Sequence, residues 1–333
     1  MSSQSKSTEL LFLAPNIDTF IKTDFEILSK HFDTAPLVWS GKVGILELSR
    51  RIRKTRCVLS WFAGDHSALA SILCDFRGIP SVLLSGGVDV AAMPEINYGA
   101  MASNFRKRLP TKLALNFSTL ILAFSAFSKS EIERIHHVRK LAVLYLGVDT
   151  RKFKPASQKE DIVLTVGQVS MGNLKRKGLQ LFAEAARKLP QYHFVLAGKP
   201  LDNSFNSLKS KAPSNLTLPG FLSDDELAEL YSKSKVYVQA SAHEGFGVAV
   251  AEAMSSGCVP VVTDRGALPE VVGDVGITID YGNIDALAEA INQTMSMPAT
   301  EGQRARKRVI ENFTLQTREE KFKEILKRLL EKG

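Results

Sequence analysis

The chain has 333 residues, 44% of them hydrophobic and 23% charged, with a formal net charge of +8 at pH 7. That length suits two domains, and that balance excludes disordered and fibrous classes. The positive charge favours an anionic partner: a phosphorylated small molecule, an anionic membrane surface or nucleic acid.

No window offers the ~20 uninterrupted apolar residues of a membrane-spanning helix. The nearest, residues 113–127, is broken by Asn116, Ser118, Thr119 and Ser125. The apolar run at residues 10–14 is shorter than a signal peptide's apolar region, so a cytoplasmic location is expected. In the first half, the strand-like runs ELLFLA, CVLSWF, IPSVLLS, STLILAF and AVLYLG alternate with helical patterns. Two basic segments lie among them, SRRIRKTR at residues 49–56 and NFRKRLPTK at 104–112, interleaved with Ile52, Phe105 and Leu109. They fit either a face on an anionic membrane or a solvated helix face. A polar, aperiodic stretch with Pro155, residues 147–161, reads as a linker. The second series, DIVLTVG, YHFVLAG, KVYVQAS, CVPVVT and GITID, repeats the alternation, and helical stripes follow at 284–295, 301–312 and 315–331. The expected fold is therefore α/β, with two Rossmann-like, doubly wound parallel sheets. The expected division is residues 1–154, 155–312 and a final helical segment, 313–333, able to fold back on the first domain. Cys57, Cys74 and Cys258 are isolated in apolar surroundings and read as small core residues. Ligands of such sheets bind beyond the strands' carboxyl ends, which makes the cleft between two sheets the default active site.

Chemistry concentrates in SAHEGFGVAVAEAMSSGCVPVV, residues 241–262. Because it follows KVYVQ, residues 241–246 should be a strand-to-helix loop and 247–256 a helix ended by Gly257. Gly245 and Gly247 allow a sharp turn, and the amides of Phe246, Gly247 and Val248 lie at a positive helix end, a cradle for phosphate or sugar. The helix is apolar on nearly all sides, so Glu252 needs buried donors: a ligand's vicinal diol, or a core Arg or Lys. Glu244, in the loop, is either a ligand contact or an ordinary loop acid.

The pattern S-x-x-E-G-F-G with a second glutamate eight positions after the first resembles the retaining glycosyltransferases of family four, which have the two-domain GT-B fold. GCVPVVTDRGALPEVVGDVGI, LPGFLSDDELAELYSKS and YLGVDTRKFKP are similar to further segments of that family. The resemblance covers the second half continuously and the first half loosely. It implies an acceptor-binding first domain and a second domain holding a nucleoside diphosphate sugar, with a hexose-type sugar transferred without a cofactor or metal. Glu252 would take the ribose hydroxyls, Glu244 the sugar hydroxyls, Lys177 the diphosphate, and Phe221 would lie in the stretch contacting the base. Gln168 stands where the family usually has arginine, and Arg176 is the neighbour able to substitute. In the first half, APNIDTFIKTD replaces the family's glycine-rich loop, leaving Asp18 as an acceptor contact or a helix cap. SVLLSGGVDVA places Gly86, Gly87 and Asp89 where relatives carry a histidine, so Asp89 is either a polar contact to the sugar or part of a structural turn. His66 either faces the cleft or starts a helix capped by Asp65, and His136 and His137 read as a solvated face. D-x-D is absent, no glycine fingerprint follows the first strand, and Ser223 with Glu226 reads as a capping box. A nucleotide-sugar epimerase of the same fold and a non-catalytic basic module binding membrane or nucleic acid are the alternatives. The acceptor is expected to be a membrane lipid or lipid-linked glycan at the inner membrane face, with no nucleic-acid partner.

Overall fold

The computed structural model describes residues 8–40, 44–136, 138 and 140–331. The chain divides into two compact units, one formed by Met1–Leu146 with Gln316–Gly333 and the other by Gly147–Leu315.

The first unit contains strands β1 (Thr8–Ala14), β2 (Thr34–Val38), β3 (Thr55–Trp61), β4 (Ser81–Ser85), β5 (Leu120–Ala123) and β6 (Leu141–Val143). They form one sheet in the order β2-β1-β3-β4-β5-β6, with every pair parallel. Helices α1 (Thr19–Ser29), α2 (Ile45–Ile52), α3 (Asp65–Arg77), α4 (Phe105–Phe117) and α5 (Ala126–Ile135) make the crossovers. The central strands are continuous apolar runs because parallel sheets are covered on both faces; β4 is buried throughout.

The second unit contains β7 (Glu160–Val166), β8 (His193–Ala197), β9 (Leu216–Gly220), β10 (Ser234–Gln239), β11 (Val259–Thr263) and β12 (Ile277–Ile279). Its parallel sheet has the order β12-β11-β10-β7-β8-β9. Its helices are α6 (Met171–Arg176), α7 (Leu179–Lys188), α8 (Ser204–Ser210), α9 (Asp224–Lys233), α10 (Val248–Ser255), α11 (Leu268–Val272), α12 (Ile284–Met295) and α13 (Ala299–Asn312). β2 and β9 were not expected from the sequence. Both are edge strands carrying a proline, Pro36 or Pro219, which an edge tolerates and a strand pattern does not advertise.

The stretch expected to be a linker folds into the second unit, so the division falls ahead of Pro155. Val148 N donates to Phe313 O at 2.8 Å, and Leu315 N to Val148 O at 3.1 Å. Phe153 lies edge-on to Tyr231, with ring centroids 5.7 Å apart. Arg306 donates to Thr150 O at 3.1 Å and Phe153 O at 3.0 Å. The last helix, α14 (Leu315–Leu330), enters the first unit. There Arg318 forms a buried two-pronged pair with Asp24, 2.6 Å on each prong, and donates to Leu144 O at 3.0 Å. Burial pushes the Asp24 carboxyl upward, and Arg318 opposes that shift through its charge and hydrogen bonds. Among the described residues no helix is long and apolar enough to cross a membrane.

Candidate functional site

In the second sheet the chain runs outward through β7, β8 and β9, then returns to place β10 on the other side of β7. Such a reversal opens a ligand position at the carboxyl ends of the two central strands. Residues 167–178 follow β7, and 240–247 follow β10. The two loops are joined by Ala242 N donating to Arg176 O at 2.7 Å. Gly178, at φ +64°, lies so close to Ala240 that a Cβ would stand 2.0 Å from its carbonyl oxygen. Gly167 makes room for the Lys177 stem in the same way, its Cβ position lying 2.8 Å from Lys177 Cδ.

These contacts bring Lys177 to Glu244. The ammonium donates to Glu244 Oε1 at 3.0 Å, and the two side chains are only 19% and 13% exposed. Ser241 Oγ donates to the same oxygen at 3.0 Å, and Gln239 Nε2 at 3.1 Å. Tyr237 continues the chain of polar groups, its hydroxyl donating to Gln239 Oε1 at 2.7 Å. All three bonds to Glu244 fall on Oε1; among the described residues Oε2 accepts none. Burial alone would raise this carboxyl, but the charges of Lys177 and Arg176, with the Lys177 and Ser241 hydrogen bonds, hold it below its ordinary value. Glu244 is therefore an oriented carboxylate with one oxygen anchored and the other available. The loop is pinned from above by Ala267 N, which donates to Glu244 O at 2.8 Å. Gly266, at φ +64°, permits this approach, since a Cβ there would stand 2.4 Å from the same oxygen.

Helix α10 begins at Gly247, whose φ of +97° is left-handed and favours glycine. Gly245 and Val248 flank it as expected, but the Phe246 side chain is core, buried edge-on against Phe313 at 5.3 Å. Any ligand contact from Phe246 is thus left to its backbone. Along α10, Glu252 is enclosed enough that burial pushes its carboxyl up to about 8. The core Arg or Lys pair weighed for it is not found among the described residues. Lys152 acts on it only at a distance, and pairs instead with Asp224 at 3.4 Å and Asp225 at 3.6 Å.

The remaining expected donor-side residues are less engaged. The Arg176 guanidinium binds Asn173 Oδ1 through Nη2 at 2.9 Å while its charge acts on Glu244, so it faces inward more than solvent. Gln168 is exposed, its backbone carbonyl accepting from Asn173 Nδ2 at 2.8 Å. Phe221 is 69% exposed. Ser223 and Glu226 form the expected capping box at the start of α9.

In the first unit several expectations change. Asp89 is buried, and Oδ2 accepts from Ser85 Oγ at 2.6 Å and Ala63 N at 2.9 Å, while Oδ1 accepts from Gly87 N at 2.8 Å and Gly86 N at 3.4 Å. With its lone pairs used by the fold, Asp89 ties the ends of β3 and β4 together and is not free to act on a sugar. Gly86, at φ +138°, sits against Ser128, and the Cβ position of Gly87 meets the Phe62 ring at 3.3 Å, so both serve close packing. His66 is buried and directs Nε2 to Trp61 O at 2.8 Å; burial lowers its basicity. Since a carbonyl only accepts, Nε2 carries the proton. The cap of α3 is Gly64, not Asp65. Asp18 occupies the N-cap of α1, yet its side chain makes no capping bond and stays exposed. His136 bonds Asn116 Oδ1 at 2.9 Å, and His137 lies outside the described residues.

Sequence reasoning missed Gln239, Tyr237, Gly266 and Tyr231. The signal was present for two of them. Val236, Val238 and Ala240 belong to the sheet's apolar core, so period-two alternation turns Tyr237 and Gln239 to the opposite face. A glutamine at the buried end of β10 requires a polar partner there.

Comparison with known proteins agrees with this geometry. The profile of the family described as glycosyl transferases group 1 matches residues 148–315. The O-antigen chain mannosyltransferase B of Escherichia coli is 29% identical over 201 residues, covering 55% of this chain and 53% of that protein. A GDP-mannose-dependent alpha-(1-6)-phosphatidylinositol dimannoside mannosyltransferase of Mycobacterium tuberculosis is 26% identical over 229 residues, covering 65% of this chain and 59% of that one. The chain thus spans little more than half the length of these relatives. Among solved structures, Anabaena Alr3699/HepE in complex with UDP superposes with a TM-score of 0.80 at 17% identity, covering 96% of this chain and 100% of that one, a likeness of fold. The two parallel sheets are those of the GT-B fold, and the chain belongs to the glycosyl transferases group 1 family.

Proposed function

We propose that this chain transfers a hexose-type sugar from a nucleoside diphosphate sugar to an acceptor, with retention at the anomeric carbon and without a metal. The observation that carries this reading is the Lys177–Glu244 pair at the carboxyl ends of β7 and β10, beside a helix that starts at Gly247. Glu244 Oε2 would accept from sugar hydroxyls, and Glu252 from the ribose diol. Lys177, with Arg176 behind it, would meet the charge that develops on the departing diphosphate. Preorganised donors of that kind are worth about 3 kcal/mol each. The acceptor oxygen bonds to the anomeric carbon as the bond to phosphate breaks, and its proton passes to the departing phosphate oxygen on the same face. No protein base is then required, which accords with Asp89 being bound up in its turn and His66 in its bond to Trp61.

The acceptor we propose is a lipid or lipid-linked glycan at an anionic membrane. Leu46, at 86% exposed, and Phe105, at 70%, stand on α2 and α4 among Arg50, Arg51, Arg106, Lys107 and Arg108. The relatives include enzymes named for phosphatidylinositol and diphosphopolyprenol acceptors.

A thermal-shift panel of UDP-, GDP- and ADP-sugars tests the donor reading, and the absence of any rise in melting temperature refutes it. Flotation with anionic vesicles at low salt tests the membrane reading, and protein left wholly at the bottom of the gradient refutes it. Conversion of a nucleotide sugar with no acceptor present would favour an epimerase instead.

A further inference from the structure

Tyr231 lies on α9 and is fully buried. Its ring packs between Phe153, 5.7 Å away, and Tyr237, 5.9 Å away. Among the described residues its hydroxyl has no hydrogen-bond partner of normal geometry, although it interacts electrostatically with the Glu252 carboxyl. A phenol buried without a partner costs free energy that phenylalanine at the same place would avoid. Beside it on α10, Glu252 is partly buried, and among the described residues no cation is paired to it. The phenol and this carboxyl lie side by side, and the hydroxyl needs an acceptor that the carboxyl can supply.

We propose that Tyr231 is a positioning residue of the donor site, donating its hydroxyl to one oxygen of Glu252 while a ribose diol fills the carboxylate's remaining acceptor positions. A carboxylate has about four lone-pair sites on two oxygens and no donor, which matches three hydroxyl donors. The idea rests on the reading of Glu252 as the ribose contact, and adds to it how a carboxyl so enclosed becomes an oriented acceptor. Burial, opposed by Tyr231 as the largest influence lowering it, leaves Glu252 holding its proton to about pH 8. Asp224 raises it and Lys152 lowers it. Other titratable or charged groups on the elements around Glu252 include Asp225 and Glu226 on α9, Tyr237 on β10, Cys258 before β11, Glu270 on α11, and Arg306 and Arg308 on α13. Both arginines donate to backbone carbonyls.

The test is calorimetric titration of the full chain with UDP and GDP, and with the 2′,3′-dideoxy form of whichever binds, between pH 6 and 9. In the unaltered protein, affinity for the ribonucleotide should rise with pH and level off above about 8, while the dideoxy compound binds more weakly and without that rise. Tyr231→Phe should weaken the ribonucleotide about tenfold at pH 7, move the rise to higher pH, and leave the dideoxy compound unchanged. In a Glu252→Gln background the same substitution should have no further effect. Equal weakening of both nucleotides by Tyr231→Phe, or an unmoved pH profile, overturns the proposal and leaves Tyr231 a packing residue. If the unaltered protein binds ribo and dideoxy forms alike, the ribose role of Glu252 falls and the proposal with it. If neither UDP nor GDP binds, ADP is titrated in the same way, and the donor reading itself fails if none of the three binds. Melting temperatures report folding independently, and Tyr231→Phe should equal or exceed the unaltered protein.

Discussion

Glu252→Gln should change how the nucleotide-free protein responds to pH. In the unfolded chain this carboxyl ionises near its ordinary value of 4.5, whereas burial in the folded state raises it to about 8. Between those values the folded form holds a proton that the unfolded form has released. The associated stability is complete below pH 4.5 and is lost as pH rises through about 8. At 1.36 kcal/mol per unit, with allowance for the side chain's slight exposure, the loss is about 3 to 5 kcal/mol. Glutamine keeps the shape and cannot ionise, so this component disappears. Urea unfolding followed by circular dichroism at pH 5.5, 7 and 8.5 measures it. The unaltered protein should lose midpoint stability toward pH 8.5, and Glu252→Gln should lose markedly less. Equal slopes in the two proteins would refute the argument that burial governs this carboxyl.

Lys177→Met leaves Glu244 enclosed without its ammonium and should cost about 2 to 3 kcal/mol of stability by denaturant titration, part of it recovered by adding Glu244→Gln. Glu244→Gln alone should keep the fold and lower sugar transfer about a hundredfold or more, measured by release of nucleoside diphosphate with an acceptor present. Gly178→Ala should destabilise by about 3 kcal/mol or more, read as a large drop in melting temperature, because its Cβ has nowhere to go beside the Ala240 carbonyl. Arg318→Met should cost about 3 to 5 kcal/mol by leaving Asp24 buried and unpaired, and Asp24→Leu in the same chain should restore most of it.

The alternation of strand and helix patterns was legible because each central strand carries its own run of apolar residues, a property of the chain itself. β2 and β9 were not, since an edge strand is defined by a neighbour on one side only and its proline reads as a break. Glu244, Lys177 and the Gly247 turn were visible because their residue types are demanded locally, by a loop, a charge and a left-handed backbone. Asp89 misled for the converse reason. An acid beside two glycines is written the same way whether it awaits a ligand or binds its own loop. The deciding donor, Ala63 N, comes from the end of another strand. Tyr231 was silent for a similar reason: only the packed fold shows that its hydroxyl is buried and lies beside Glu252.

The return of α14 to the first unit sets an order on assembly during synthesis. Asp24 is made early, but its only ion-pair partner among the described residues is Arg318, which leaves the ribosome after the whole second unit. Residues 147–315 are contiguous, so they can close their sheet as they emerge. The earlier half waits with an unneutralised carboxylate facing its core and a helix still missing from one side. The part of the chain that is translated first is therefore completed last, and a chaperone holding the nascent protein would find its exposed surface there.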